Sequence, residues 1–77
     1  MKTGEAIRHM CEVAGKGTVE VSGDIGRGRS YVGSILSRGS TPQADTLAEI
    51  AEACGYELVL IGHGEKIVIE YEPRDER

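Results

Sequence analysis

The sequence contains no phenylalanine, no tryptophan and only three tyrosines among its 77 residues. Aromatic side chains therefore cannot supply the bulk of a core, which valine, isoleucine, leucine and alanine must build instead. A chain of this length is expected to form one small domain whose single hydrophobic core gives marginal stability. The length argues against a multidomain enzyme, and the lack of a repeating pattern excludes a coiled coil or a collagen-like chain.

Long apolar runs and metal-binding motifs are also missing. The longest apolar run, Leu58 to Ile61, is far shorter than the ~20 residues of a membrane helix, and the first residues do not resemble a signal peptide. The two cysteines, Cys11 and Cys54, form no Cys-x-x-Cys pair and are expected to be reduced thiols in the core. His9 and His63 are far apart in sequence and are expected at the surface. We therefore expect a cytoplasmic protein with no membrane partner, metal or cofactor.

The charge is unevenly distributed along the chain. The formal net charge of −4 by itself disfavours binding to nucleic acid. Residues 25–44, however, contain three arginines and no acidic residue, whereas the rest of the chain carries six basic and thirteen acidic residues. A short basic segment thus interrupts an acidic chain, and its place in the fold decides what the protein can bind.

Helical periodicity predicts two helices in the first third of the chain. The first runs from Gly4 to Ala14, with Thr3 as its N-cap and Gly15 at its C-terminal end. The second is a short helix over Val19–Ile25, with Thr18 as its N-cap.

Two further helices follow a glycine turn. The turn Gly26-Arg27-Gly28 is predicted to use the positive φ of both glycines. The third helix is predicted over Arg29–Ser37 and the fourth over Asp45–Cys54, with Glu49 and Glu52 facing water.

The period of the apolar pattern then changes to two, which predicts a β-hairpin. The strands are Tyr56–Ile61 and Lys66–Tyr71, joined by a two-residue turn at His63-Gly64. The register places Tyr56 opposite Tyr71, Glu57 opposite Glu70, Leu58 opposite Ile69, and Leu60 opposite Ile67.

Two short helices joined by a glycine turn are a helix-turn-helix pattern. Residues 18–26 are similar to a second helix with its closing glycine, and Arg29-Ser30-Tyr31-Val32 is similar to an Arg-Ser-Thr-Ile helix opening. Arg38-Gly39 is similar to the end of such a helix, and residues 45–55 to the helix that follows. From Ile7 to Leu58 the chain resembles the Cro-and-repressor (XRE-type) helix-turn-helix family.

The resemblance implies a mainly α fold with a C-terminal β-hairpin. Residues 1–55 would form a four-helix, lambda-repressor-like helix-turn-helix domain, residues 56–72 the two-stranded antiparallel hairpin, and residues 73–77 a frayed tail. It also implies a transcriptional regulator of the phage-repressor, antitoxin or autoregulator type. Such a protein binds double-stranded DNA and reads the major groove with its third helix.

The DNA-contacting residues follow from this resemblance together with side-chain chemistry. Arginine can bond the O6 and N7 atoms of guanine, and hydroxyl groups can bond base edges or phosphates. The residues expected to read bases are Arg27, Arg29, Ser30, Tyr31 and Ser34. Those expected to hold the DNA backbone are Thr18, Arg38, Ser40 and Thr41, and the helix starts at Thr18 and Ser30 are expected to offer free amide groups to phosphates.

A lone two-stranded hairpin is only marginally stable in water. One face of the predicted hairpin can cover the helices, while the other exposes Val59, Ile61 and Val68. We expect these residues to join two copies into a homodimer, the alternative being a monomer with the hairpin packed back.

Other interpretations stay open at this point. The arginines could form an ordinary solvated surface, and Tyr31 could be half-buried in the core. The protein could instead be a protein-interaction module, such as an antitoxin or a phage-encoded inhibitor, that binds a partner through its acidic surface and hairpin edge. An enzyme is not expected, because no phosphate-binding loop, nucleophile elbow or paired-carboxylate motif is present.

Overall fold

In a computed structural model that describes residues 1–71, four helices are followed by a two-stranded antiparallel hairpin. The elements are α1 (Thr3–Ala14), α2 (Thr18–Asp24), α3 (Tyr31–Arg38), α4 (Ala44–Ala53), β1 (Leu58–Gly62) and β2 (Glu65–Ile69). The predicted class, mainly α with a C-terminal hairpin, is confirmed at this level. Glu72, the last residue of the predicted hairpin segment, and the predicted tail 73–77 lie outside the described residues.

The starts of α1 and α2 differ from the prediction. Thr3 and Thr18 are the first helical residues and not the caps, because Lys2 and Gly17 occupy the N-cap positions in extended conformations. In α1 the carboxylate of Glu5 accepts a hydrogen bond of 3.0 Å from the backbone amide of Lys2. The acid in the first turn thus satisfies the amide of the N-cap residue, and no threonine hydroxyl caps this helix.

α3 starts later than predicted, and its N-cap is Ser30. Arg29 and Ser30 therefore lie in the turn before the helix and not in its first turn. The helix ends at Arg38, one residue beyond the predicted end, with Gly39 as its left-handed C-cap. In the turn that precedes α3 only Gly26 has a positive φ, of 75°, so the same expectation for Gly28 is wrong.

α4 is the central element of the core, since it contacts α1, α2 and both strands. The core consists of aliphatic, methionine and cysteine side chains from all four helices and the residues that end them. Its buried members are Ile7, Met10, Cys11, Val21, Ile25, Val32, Ile35, Ile50, Ala51 and Cys54. The prediction that Cys11 and Cys54 are small core residues is confirmed, and both are buried free thiols.

The hydroxyl of Ser22 joins α2 to α3. Ser22 is fully buried, and its Oγ donates a hydrogen bond of 2.7 Å to the carbonyl oxygen of Thr18. The same oxygen accepts a bond of 3.0 Å from the backbone amide of Val32. Because amides in the first turn of a helix have no acceptor within that helix, a side chain of α2 satisfies a buried donor of α3. This bond fixes the position of α3 against α2.

Lys16 holds the ends of two helices together. Its Nζ donates to Oδ2 of Asp24 at 2.7 Å and to the carbonyl oxygen of Ala53 at 2.9 Å. Asp24 ends α2 and Ala53 ends α4, and a cation at the C-terminal carbonyls of a helix also complements its dipole. The hydrogen bond with Asp24 raises the pKa of Lys16 above its ordinary value.

The hairpin has the predicted register and turn. Leu58 is paired with Ile69 and Leu60 with Ile67, as predicted. The turn residues His63 and Gly64 both have positive φ, of 50° and 75°, which is the type I′ geometry that two-residue hairpins favour.

The ladder is shorter than predicted at its base. The predicted Tyr56–Tyr71 and Glu57–Glu70 pairs lie beyond the strands and are wrong. Glu57 instead forms an ion pair with Lys66, at 3.6 Å between Oε1 and Nζ. The hydroxyl of Tyr71 donates a hydrogen bond to the carboxylate of Glu52 on α4. Glu52 is exposed, as predicted.

The distal half of the hairpin is exposed on both faces. Leu58 and Ile69, at its base, are half-buried against the helical part of the molecule. Towards the tip the exposed fractions are 56% for Leu60, 78% for Ile61, 47% for Ile67 and 40% for Val68. The expectation that one face covers the helices therefore holds only at the base, because only the base of the hairpin reaches them.

Ser22→Ala should lower the free energy of unfolding by about 1–3 kcal/mol, because the buried amide of Val32 would lose its acceptor. Ser37→Ala, at an exposed serine of α3, is the matched control and should change stability by less than about 0.5 kcal/mol. Urea unfolding followed by circular dichroism gives both values. Equal stability of the two variants would contradict the bridging role of the Ser22 hydroxyl.

Stability should fall as the pH rises from about 9 towards 11. Burial, and next the neighbouring Cys11, raise the pKa of Cys54 from 9.0 to about 11, so the folded state holds this proton more tightly than the unfolded state. The stability that the protonated Cys54 contributes is complete below the pKa of this thiol in the unfolded chain. It is lost as the pH rises through the pKa of the thiol in the folded protein. The raised pKa values of Lys16 and Tyr71 act in the same direction. Urea unfolding at a series of pH values measures this loss of stability. Cys54→Ala should make the loss smaller, and a free energy of unfolding that does not change between pH 9 and 11 would contradict the prediction.

Candidate nucleic-acid interface

A shallow groove of about 290 Å³ runs along the exposed side of α3, and we call it the α3 groove. Its lining residues are Gly28, Ser30, Tyr31, Ser34, Ile35, Arg38 and Ser40. Five of the nine residues predicted to contact DNA are among them: Ser30, Tyr31, Ser34, Arg38 and Ser40. The groove thus combines hydroxyl groups with a guanidinium group, and none of its lining residues is acidic.

The other predicted contacts lie around this groove. Arg29 is exposed directly before Ser30, at the N-terminal end of α3, and Thr41 is exposed beyond its C-terminal end. Thr18 is half-buried, and its Oγ1 would lie 3.6 Å from a Cβ placed on Gly33. The side chain of Thr18 therefore packs against α3 at Gly33, at a distance that would leave an ordinary van der Waals contact for a Cβ there.

Sequence reasoning missed two basic residues next to the groove. A second depression, of about 560 Å³, lies between the start of α1 and the end of α3. Ser40 lines both depressions, and Lys2, Arg8 and Thr41 line the second. No local sequence pattern indicates this, because folding alone brings the start of α1 beside the end of α3.

The guanidinium group of Arg27 lies against the protein. Its Cζ is 4.4 Å from the ring centroid of Tyr31, and its Nη2 is 3.8 Å from Oε1 of Glu49. The two charged side chains are only 24% and 10% exposed. A guanidinium group and the face of an aromatic ring attract each other, so Arg27 holds the ring of Tyr31 at the edge of the α3 groove.

The prediction that Glu49 faces water is wrong. Glu49 is 9% exposed, because neighbouring elements surround α4 and Arg27 reaches its carboxylate from the turn before α3. The Nε of Arg27 is also buried and has no hydrogen-bond acceptor among residues 1–71. Arg27 is therefore bound to the fold on one side, whereas Arg29 and Arg38 are exposed.

Two backbone amides at the start of α3 already have acceptors. The amide of Tyr31 donates to the carbonyl oxygen of Gly28 at 3.0 Å, and that of Val32 donates to Ser22. The expectation of amides that are free for phosphate is therefore wrong for these two, whereas the exposed side chains around the groove can still contact an anion.

Metal-binding clusters and membrane-spanning helices are absent from the part of the chain that the structure describes. No group of three or more histidine, cysteine or acidic side chains there is placed to hold a metal ion. Within the same residues, 1–71, no helix combines the length and apolar character needed to cross a membrane. His9 and His63 are both exposed, as predicted.

No protein-family model matches this chain, and neither a curated protein nor a solved structure matches it significantly. Function must therefore be inferred from the geometry and chemistry of the residues themselves.

Arg27→Ala should destabilise the fold by about 1 kcal/mol, because the largely buried carboxylate of Glu49 would lose its cationic partner. Arg29→Ala removes the same charge from an exposed position and should change stability by less than about 0.5 kcal/mol. Adding Glu49→Gln to Arg27→Ala should restore part of the loss, since a neutral amide costs less to bury than a carboxylate. Thermal and urea unfolding of the three variants test this, and equal effects of the two arginine substitutions would contradict it.

Proposed function

We propose that the protein is a sequence-specific transcriptional regulator that binds double-stranded DNA. In this proposal α2 and α3 form a helix-turn-helix, and α3 enters the major groove. One observation carries the proposal: the exposed side of α3 is lined by hydroxyls and a guanidinium without an acidic residue, in a chain that is acidic elsewhere. A polyanion is the partner that such a surface fits best.

The size of α3 suits this role. An α-helix with its side chains is about 10–12 Å in diameter, and the major groove of B-DNA, about 12 Å wide, admits one. The eight residues of α3 make about two turns that can lie in it. Arg29 is exposed at the N-terminal end of the helix and can form two hydrogen bonds to guanine. Ser30, Tyr31 and Ser34 follow along the groove, where their hydroxyls can bond base edges.

The other end of α3 suits contacts to the DNA backbone. Arg38, Ser40 and Thr41 are exposed there, and Lys2 and Arg8 line the adjoining depression. Such contacts neutralise phosphates and position the protein without reading sequence. We assign Arg27 to holding Tyr31 in place, since its guanidinium is already engaged by Tyr31 and Glu49.

A protein-interaction module is the second candidate function. The exposed apolar tip of the hairpin favours it, since such a surface in an acidic chain could bind a toxin, a nuclease or a polymerase. The arginines separate the two candidates. Combined substitution of the exposed Arg29 and Arg38 should abolish function if the partner is DNA and preserve it if the partner binds only the hairpin.

DNA binding is tested by fluorescence anisotropy with the duplex upstream of the protein's own gene and a scrambled duplex of equal length. At physiological salt the first should bind more tightly, and Arg29→Ala should cost about 1–3 kcal/mol on that duplex alone. Arg38→Ala should weaken both duplexes equally and lower the salt slope by about 1. Lys66→Ala is the matched control, because it removes one positive charge from the hairpin. Unchanged binding by Arg29→Ala and Arg38→Ala would contradict the proposed surface.

A further inference from the structure

The two edges of the hairpin differ in how they are protected. Exposed strand edges invite pairing with other strands, and proteins usually guard them with charges, proline or a bulge. β2 carries Glu65 and Lys66, whereas β1 reads Leu-Val-Leu-Ile-Gly without a charge or a proline; one acid flanks each strand at the base, Glu57 before β1 and Glu70 after β2. Its pairing with β2 is continuous and shows no bulge.

Next to the turn, the side chains of β1 are also strongly exposed. Ile61 is 78% exposed, and Leu60 is 56% exposed against 47% for its partner Ile67, whereas Val59 is half-buried and its partner Val68 is 40% exposed. In residues 1–71 the sheet has two strands, so nothing described there pairs with the outer edge of β1.

We propose that β1 pairs antiparallel with β1 of a second copy of this chain. The two hairpins then form one four-stranded sheet in the order β2-β1-β1-β2, around a twofold axis. This proposal concerns the hairpin and does not depend on DNA binding.

The hydrogen-bonding pattern of the hairpin selects the register. A two-residue turn closes on a hydrogen-bonded pair, here Gly62 with Glu65, and such pairs alternate along an antiparallel ladder. Leu60 and Leu58 therefore bond inward to β2, and the amides and carbonyls of Val59 and Ile61 point to the outer edge. A twofold axis at Leu60 lets Val59 of one copy exchange both hydrogen bonds with Ile61 of the other.

This register also suits the side chains. Leu60 would face Leu60 of the second copy in a non-hydrogen-bonded pair, where side chains approach most closely. Val59, Ile61 and Val68 would form one continuous apolar strip across the two copies. β1 contains no charged residue, so no like charges oppose each other across the two paired copies of this strand.

The oligomeric state is measured by analytical ultracentrifugation without DNA, which separates this proposal from the proposed function. The wild-type chain should have twice its mass of 8.3 kDa at high concentration. Ile61→Pro removes an outward amide without breaking the ladder to β2 and should halve the mass. Lys66→Pro is the matched control, because it removes the outward amide of the opposite residue on β2, and it should remain a dimer.

Two further measurements guard against a variant that simply unfolds. Ile61→Lys, which adds a charge to the edge, should also be monomeric, and circular dichroism should show unchanged helices in every variant. In the wild type the amides of Val59 and Ile61 should exchange slowly with solvent, and those of Lys66 and Val68 quickly. A monomeric wild type would overturn the proposal. Dissociation of the dimer by Lys66→Pro with retention by Ile61→Pro, or fast exchange at Val59 and Ile61 in a dimer, would overturn the assigned edge.

Discussion

The position of α3 depends on a hydrogen bond between the Ser22 hydroxyl and the amide of Val32. The first turn of a helix leaves its amides without partners, and a buried amide must find one elsewhere. Ser22 provides that partner from within the core, with its own proton donated to the carbonyl of Thr18. Thr18 in turn packs against α3 at Gly33, so the same turn of α2 supplies both a hydrogen bond and a side-chain contact to α3. The groove that we propose as the DNA-binding surface lies on the opposite, exposed side of α3.

α4 packs beneath the α3 groove and contributes a charged contact as well as apolar packing. Its Glu49 engages Arg27, and Arg27 covers the ring of Tyr31 at the groove. The three arginines of the acid-free segment, residues 25–44, therefore have different roles. One is tied to the fold, while Arg29 and Arg38 remain exposed at either end of α3. Lys16 contributes at the far end of α4, where it holds Ala53 and Asp24.

Features that depend on neighbours in sequence were predictable, and those that depend on folding were not. The terminal glycines of α1 and α3, the hairpin turn and the register of Leu58 and Leu60 follow from short patterns. The threonine caps failed because extended residues at Lys2 and Gly17 took those positions. The burial of Glu49 and the approach of Lys2 and Arg8 to Ser40 arise from contacts between distant segments, for which one sequence offers no signal. The exposure of Ile61 and Val68 was predicted, but that of Leu60 and Ile67 on the opposite face was not, because apolar alternation indicates which face a residue occupies and not how far the helices extend beneath it.

Selection of binding sites from a pool of random duplexes tests the central claim most directly, because the operator sequence does not have to be chosen in advance. The protein should enrich one short motif, and a twofold dimer should enrich it as an inverted repeat with half-sites about 34 Å apart. The double variant of Arg29 and Arg38, which leaves the contact between Arg27 and Glu49 in place, should enrich nothing. Enrichment of a single half-site would support DNA recognition by α3 and contradict binding as a twofold dimer. Failure of the folded wild-type protein to enrich any motif would contradict the proposal that α3 reads DNA.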